Sequence, residues 1–206
     1  PLSLYPTSLW REGEVIGARY LLRFPVDLRP ADYHVAIGVA DSDGNLLDGG
    51  MFTPFDVRLL HRDRSFDPPQ PQHPINVHFD DPAITLMGAD YPTQTLHTGD
   101  TLPLTLYWQA GTTTDNLYTV FAHLETLNGS VITQIDSQPQ GGGMPTASWA
   151  TGQVVADQYP LQIPANTPPG AYRIVVGMYN PLDGTHLIDT RTGDGEVVLE
   201  PAVIVK

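Results

Sequence analysis

Short alternations of apolar and polar residues, separated by Pro, Gly, Asn and Asp, run the length of the chain, and no stretch sustains a helical period. In DTLPLTLYW, Leu102, Leu104, Leu106 and Trp108 fall on one side and Pro103, Thr105 and Tyr107 on the other. The leucine side is predicted core, which makes Trp108 a structural residue. In AYRIVVGMY, Tyr172, Ile174, Val176 and Met178 point one way, and Arg173, Val175, Gly177 and Tyr179 the other. Strands are predicted in REGEVIGARYLLRFP, ADYHVAIGVAD, NLLD and MFTPFDVRLL upstream. Downstream they are INVHF, AITLMGADY, DTLPLTLYWQA, LYTVFAHLET, SVITQID, QVVADQYPLQIP, AYRIVVGMYN, THLID and EVVLEPAVIVK.

The same pattern occurs twice. Residues 6–41 and 145–180 align at an offset of 139, with eleven identities in 36 positions, among them Trp10/Trp149, Gly13/Gly152, Tyr20/Tyr159, Leu22/Leu161, Tyr33/Tyr172 and Gly38/Gly177. In the first copy Tyr33, Val35, Ile37 and Val39 are predicted to face inward. The shared positions set structure, and no acid, base or metal ligand is among them. Trp10 and Trp149, at one fixed place in PTSLW and PTASW, read as plugs at the end of a sandwich in preference to sugar-stacking platforms.

Turn chemistry completes the fold class. Asn128-Gly129 between two strands predicts a two-residue hairpin, because both residues tolerate positive φ. Pro169-Gly170-Ala171-Tyr172 opens a strand in the manner of a tyrosine corner, where the phenol bonds back to nearby backbone, and Tyr33 is its structural counterpart in the first copy. The expectation is an all-β, immunoglobulin- or fibronectin-like antiparallel sandwich, with one complete copy and one truncated copy. Residues 75–206 hold a front half, the PTxxW loop and a back half. Residues 1–60 hold only the loop and back half. Between them, residues 61–74 carry Pro68, Pro69, Pro71 and Pro74 and read as a Pro-rich linker. A back half alone exposes an apolar face and open edges. It is expected to lean on the intact domain, to swap strands in a homodimer, or to be completed by residues elsewhere in a longer tandem array. The start at Pro1 fits an excised or processed fragment.

Charge narrows the partners. The net charge is −13, from −3 over residues 1–74 (7 Arg, 10 acids) and −10 over 75–206 (3 Arg or Lys, 13 acids). So acidic a surface repels phosphate backbones and anionic headgroups, so neither nucleic acid nor a membrane surface is an expected partner. The absence of Cys removes disulfides and thiolate chemistry together. No apolar run approaches the ~18 residues that span a bilayer, so any tether lies outside this stretch.

Three features invite chemistry. Tyr107, Phe121, His123, Val175 and Tyr179 are predicted to point outward, and Val175 and Tyr179 stand where the first copy has Ala36 and Ala40, so the fold does not demand large side chains there. Brought together, they would form an aromatic patch for a ligand or for a neighbouring domain. Asp41 and Asp43 in DSDGN, and Asp183 and Asp189 in the second copy, are weak calcium candidates. Asp and Asn before Gly are also what hairpin turns select. Gly141–Gly143 lacks the Lys-Ser or Lys-Thr of a phosphate loop and reads as a flexible lead-in to PTASW. No nucleophile elbow, HExxH pair or recognisable carboxylate pair is present, and no cofactor is expected.

The run FDDPAITLMGADY, HTGDTLPLTLYWQAG, YTVFAHL, DSQPQGGGMPTASWATGQVVADQY and PANTPPGAYRIVVGMYNPLDGTHL resembles an extracytoplasmic β-sandwich domain that follows bacterial membrane glycosyltransferases of the protein-mannosyltransferase-like class. The resemblance covers residues 77–206, with 5–60 as a truncated second copy. It implies a non-catalytic accessory module, tethered through a membrane portion elsewhere, whose partners are neighbouring domains of the parent protein or a glycan. The catalytic acids of such enzymes lie in their membrane portion, so no catalytic residue carries over. The alternatives are a structural spacer repeat and a hydrolase built on carboxylates at the sandwich end.

Overall fold

A computed structural model describes residues 9–17, 20, 22, 24–25, 28–59, 63–81 and 83–206, apart from the side chains at 48–50. Pro6 and Thr7 of the first PTxxW motif, and residues 60–62, lie outside the described set. Among the described residues ten strands form: β1 (Ala31–Ala40), β2 (Leu46–Leu59), β3 (His73–His78), β4 (Ile84–Asp90), β5 (Thr101–Ala110), β6 (Thr119–Thr126), β7 (Val131–Ser137), β8 (Val154–Gln162), β9 (Gly170–Tyr179) and β10 (Val197–Val205). β1 and β2 pair with each other. The other eight make two four-stranded sheets, ordered β3-β4-β5-β8 and β10-β9-β6-β7, whose strands pair antiparallel throughout. The protein is an all-β sandwich. Among the described residues no helix is long and apolar enough to cross a membrane.

Alternation places the core as the sequence predicts. Leu102, Leu104, Leu106 and Trp108 of β5 and Tyr172, Ile174, Val176 and Met178 of β9 all lie in one buried cluster between the two sheets. Trp149 plugs this core and donates its Nε1–H to Met144 O at 2.8 Å. The tyrosine corner is present in both copies: Tyr172 donates to Pro168 O at 2.6 Å and Tyr33 to Arg29 O at 2.8 Å.

Several elements differ from the sequence reading. NLLD and MFTPFDVRLL form one strand, β2, and THLID contributes only the isolated bridges Tyr179–His186 and Phe79–Asp189. The turn at Asn128-Gly129 is a three-residue loop, in which Thr126 N–H meets Ser130 O at 2.9 Å and only Gly129 takes positive φ (+90°). The described residues of 11–25 form no strand, whereas their counterparts at 150–164 contain β8. The reason is pairing: β8 hydrogen-bonds along β5, and no equivalent of β5 pairs with the described part of the first copy. Trp10, read as a plug, is largely exposed for the same reason.

The Pro-rich stretch is not a free spacer. Pro74 lies within β3, an edge strand, where its missing N–H leaves no central ladder broken. Arg64 donates to Ser148 O at 2.8 Å and to the Gln153 side chain, and Ser65 bridges Val154. Pro71 packs so tightly on Gly88 that a Cβ there would lie 2.4 Å from the proline ring. Nor is Gly141–Gly143 a loose segment. Gly141 and Gly142 belong to a 3-10 turn at Pro139–Gly142 that Gly143 caps, and the Gln140 N–H is held by Asp157 Oδ1 at 2.8 Å.

Candidate functional site

The outer face of the β10-β9-β6-β7 sheet carries the aromatic residues singled out in the sequence. β6 and β9 pair directly, Phe121 opposite Gly177 and His123 opposite Val175. The ring centroids of Phe121 lie 5.0 Å from His123 and 6.4 Å from Tyr179. The structure therefore brings Phe121, His123, Val175 and Tyr179 onto one surface, and leaves Tyr107 out of it. Tyr107 belongs to β5 in the opposite sheet, where its hydroxyl donates to Asp90 Oδ2 at 2.7 Å.

Gly177 makes this surface possible, since a Cβ there would meet the Phe121 ring at 2.5 Å and Gly195 O at 2.9 Å. Phe121 lies flat in that space and, like Val175, is buried without belonging to the core between the sheets. What covers Phe121 is the long β9–β10 connection, through His186, whose ring centroid stands 5.1 Å from it. Tyr179 stacks on His186 at 5.9 Å and donates to Asp136 Oδ2 of β7 at 3.2 Å. Neither His186 nor Asp136 is marked out by the sequence pattern. His186 is anchored by its isolated bridge to Tyr179, across the turn that follows β9, and a strand period does not reveal it.

Below this rim runs a charged ladder. Arg173, directly opposite Glu125 in the β6–β9 register, grips its carboxylate through Nη2 at 2.8 Å and Nε at 3.1 Å. His123 stands between two carboxylates, 3.5 Å from Glu125 and 3.6 Å from Asp136.

His186 also lines a cleft of about 290 Å³ at the end of the sandwich, with Asp80, Asp81, Tyr118, Asn180 and Asp183. Its carboxylates are committed to partners within the protein. Asp80 accepts Ile188 N–H at 2.8 Å, Asp81 accepts Ala83 N–H at 2.9 Å, and Asp183 accepts Thr185 N–H at 2.9 Å. Burial acts to raise Asp81, but hydrogen bonds from the Ala83 amide, Tyr118, Asn116 and Thr114 together outweigh it and hold the carboxyl below the usual carboxylate range. A glycosidase acid requires the opposite, a carboxyl kept protonated. Burial and the adjacent Asp81 in turn push the Tyr118 hydroxyl well above its ordinary value.

The calcium candidates have turn partners. Asp41 Oδ1 accepts the N–H groups of Asp43 and Asn45 at 3.0 and 2.9 Å, an Asx arrangement that closes the β1–β2 connection. Asp189 is buried against the guanidinium of Arg191, which, ahead of an opposing burial contribution, holds its carboxyl below the usual range. Among the described residues no three His, Asp or Glu side chains are placed to hold one metal ion.

No family model matches the chain, and neither does any curated protein. Among solved structures, the crystal structure of the C-terminal domain of wzt is similar to it, with 12% identity and a TM-score of 0.42, over 60% of this chain and 74% of that chain.

Proposed function

We propose that the chain is a non-catalytic accessory module of a larger envelope protein, and that the outer face of β6 and β9 is its binding surface for a neutral glycan. The observation that carries this reading is the Tyr179–His186 stack with Asp136 hydrogen-bonded at its rim. An aromatic face takes the C–H side of a sugar ring, and an adjacent carboxylate accepts from its hydroxyls. Tyr179 stands where the repeat has Ala40, so its bulk is not a requirement of the fold. The strand order, with the tyrosine corner on β9, supports the immunoglobulin- or fibronectin-like description. The resemblance to modules that follow polytopic glycosyltransferases supplies the setting: extracytoplasmic, tethered elsewhere in the parent protein, beside neighbouring domains.

The test is a titration of the full chain against an array of neutral oligosaccharides, with Tyr179→Ala and Asp136→Asn as variants and circular dichroism as a folding control. The expected result is binding that falls at least about tenfold in each variant, the loss of one good polar or stacking contact. Binding that both variants leave intact, or no binding by the parent chain, would overturn the proposal. Phe121→Ala is a poor probe, because Phe121 is a floor residue whose removal opens a cavity.

A second reading, a structural spacer, has a specific observation in its favour. Phe121 and Val175 are already buried within the domain and need no ligand to cover them.

A further inference from the structure

The two halves of the repeat have the same local geometry and opposite burial. β1 and β9 are ten-residue strands that start 139 positions apart, and each pairs antiparallel with the strand that follows, Tyr33 with Val57 and Tyr172 with Val203, Val35 with Phe55 and Ile174 with Leu199. The preceding loop also repeats. Arg11 N–H donates to Glu14 Oε2 at 3.1 Å and Ala150 N–H to Gln153 Oε1 at 3.0 Å, with Gly13 at φ +78° and Gly152 at φ +79° between them. Yet Trp10 is 47% exposed against 1% for Trp149, Tyr20 81% against 1% for Tyr159, and Ile37 54% against 0% for Val176.

In the second copy the burial is supplied by known elements. β6 hydrogen-bonds along the free edge of β9, Thr119 opposite Tyr179 through Thr126 opposite Tyr172, and β4, β5 and β8 close the inner face. Among the described residues nothing pairs with the corresponding edge of β1, which shares its sheet with β2.

We infer that residues 9–59 are the back half of a second sandwich, completed by a front half of the β4–β7 kind supplied by a preceding stretch of the same polypeptide, with a β6-like strand laid along Tyr33–Ala40. This goes beyond the proposed function: it concerns the neighbour of the first ribbon, and no glycan is involved. The second copy shows what kind of segment fits. The residues that meet it are the same or similar in both copies, Trp10/Trp149, Tyr20/Tyr159, Leu22/Leu161, Tyr33/Tyr172, Val35/Ile174 and Ile37/Val176, so shape and volume at the seam are close to conserved.

The probe is therefore a duplicate of residues 73–144 fused ahead of Pro6, standing before the first PTxxW loop as the original stands before Pro145. Amide hydrogen exchange is followed in this extended chain and in the 206-residue chain. In the latter, amides of 33–40 are expected to exchange at least about 100-fold faster than those of 172–179, in a monomer. In the extended chain they are expected to slow by at least about 100-fold, and Ile37→Asp to reverse that slowing while leaving 172–179 protected. Two outcomes overturn the inference. One is protection of 33–40 in the 206-residue chain, whether through a dimer or through packing on its own sandwich. The other is unchanged exchange of 33–40 in the extended chain.

Discussion

The Tyr172 hydroxyl reaches back four residues to the Pro168 carbonyl at 2.6 Å and ties the start of β9 to the loop before it. Tyr33 makes the same bond to Arg29. The two differ in what they support. Tyr172 belongs to the core cluster, and loss of its hydroxyl leaves a part-buried carbonyl short of a partner. Tyr172→Phe is expected to lower stability by about 1–2 kcal/mol, read as a shift of the urea midpoint of tryptophan fluorescence. Tyr33→Phe should leave that midpoint unmoved, and a comparable shift in both variants would contradict the confinement of the core to the sandwich of β3–β10.

Trp149 and Trp10 extend the comparison to apolar burial. Trp149 fills the core and Trp10 is largely exposed. Trp149→Ala is expected to cost about 3–5 kcal/mol, enough to remove much of a domain's stability. Trp10→Ala should change the main thermal transition by no more than about 0.5 kcal/mol. Differential scanning calorimetry of the two variants separates these values.

How much of this was legible beforehand depends on the range of the interaction. The alternation in DTLPLTLYW placed Leu102 through Trp108 in the core, because strand periodicity is a local property. The Tyr172 corner was legible for the same reason. The strand expected across 11–25 was not formed at its described residues, since a strand needs a ladder partner and the sequence window contains none. Tyr107 and Phe121 both point away from the core, but the faces of different sheets look alike in a period-two pattern. His186 was missed because it reaches Phe121 from a long irregular connection. The packing of Pro71 on Gly88 was invisible too, as composition describes a proline run's stiffness and not what it rests on.

That proline contact makes a prediction of its own. A Cβ at Gly88 would stand 2.4 Å from Pro71 and 2.7 Å from His73 O, and the second neighbour is backbone that cannot swing aside. Gly88→Ala should therefore destabilise the β3–β4 edge by about 1–3 kcal/mol and raise the protease sensitivity of residues 63–72. Limited proteolysis at matched folded fraction tests this, and an unchanged cleavage pattern would count against the docked linker.

Asp157 gives the fold a pH signature. It stands on the inner face of β8 opposite Leu106, buried, with Tyr159 Oη at 2.5 Å and the Gln140 N–H at 2.8 Å. Burial raises its carboxyl above the usual range despite the hydrogen bonds from Tyr159 and Gln140 that oppose the rise. Between the unfolded value, about 4, and that raised folded value, the native state holds more protons than the unfolded chain. Stability therefore falls as pH rises through this window and levels off above it. Asp81, held low, contributes the reverse, with stability lost as pH falls below the unfolded value toward its folded one. Asp157→Asn should flatten the upper slope alone, and urea midpoints across the acid range that keep that slope in the variant would rule out Asp157 as its source.

Arg173 and Glu125 face each other across the β6–β9 ladder, and their pair tests whether the charged outer face is structural. Glu125 is almost fully buried, while Arg173 retains some solvent contact. Removing only the guanidinium strands a carboxylate with His123 as its remaining neighbour, 3.5 Å away, and an unpaired buried charge is costly. Arg173→Ala is expected to lose about 2–4 kcal/mol, the lower part of the range reflecting Arg173's access to water. Replacing both partners, Arg173→Met with Glu125→Leu, removes the stranded charge along with its counterion. The double variant should return to within about 1 kcal/mol of the parent chain. A double-mutant cycle by urea unfolding gives the coupling directly: a near-zero coupling energy would mean that water, and not Arg173, satisfies Glu125, and the ladder would then be free to serve a ligand.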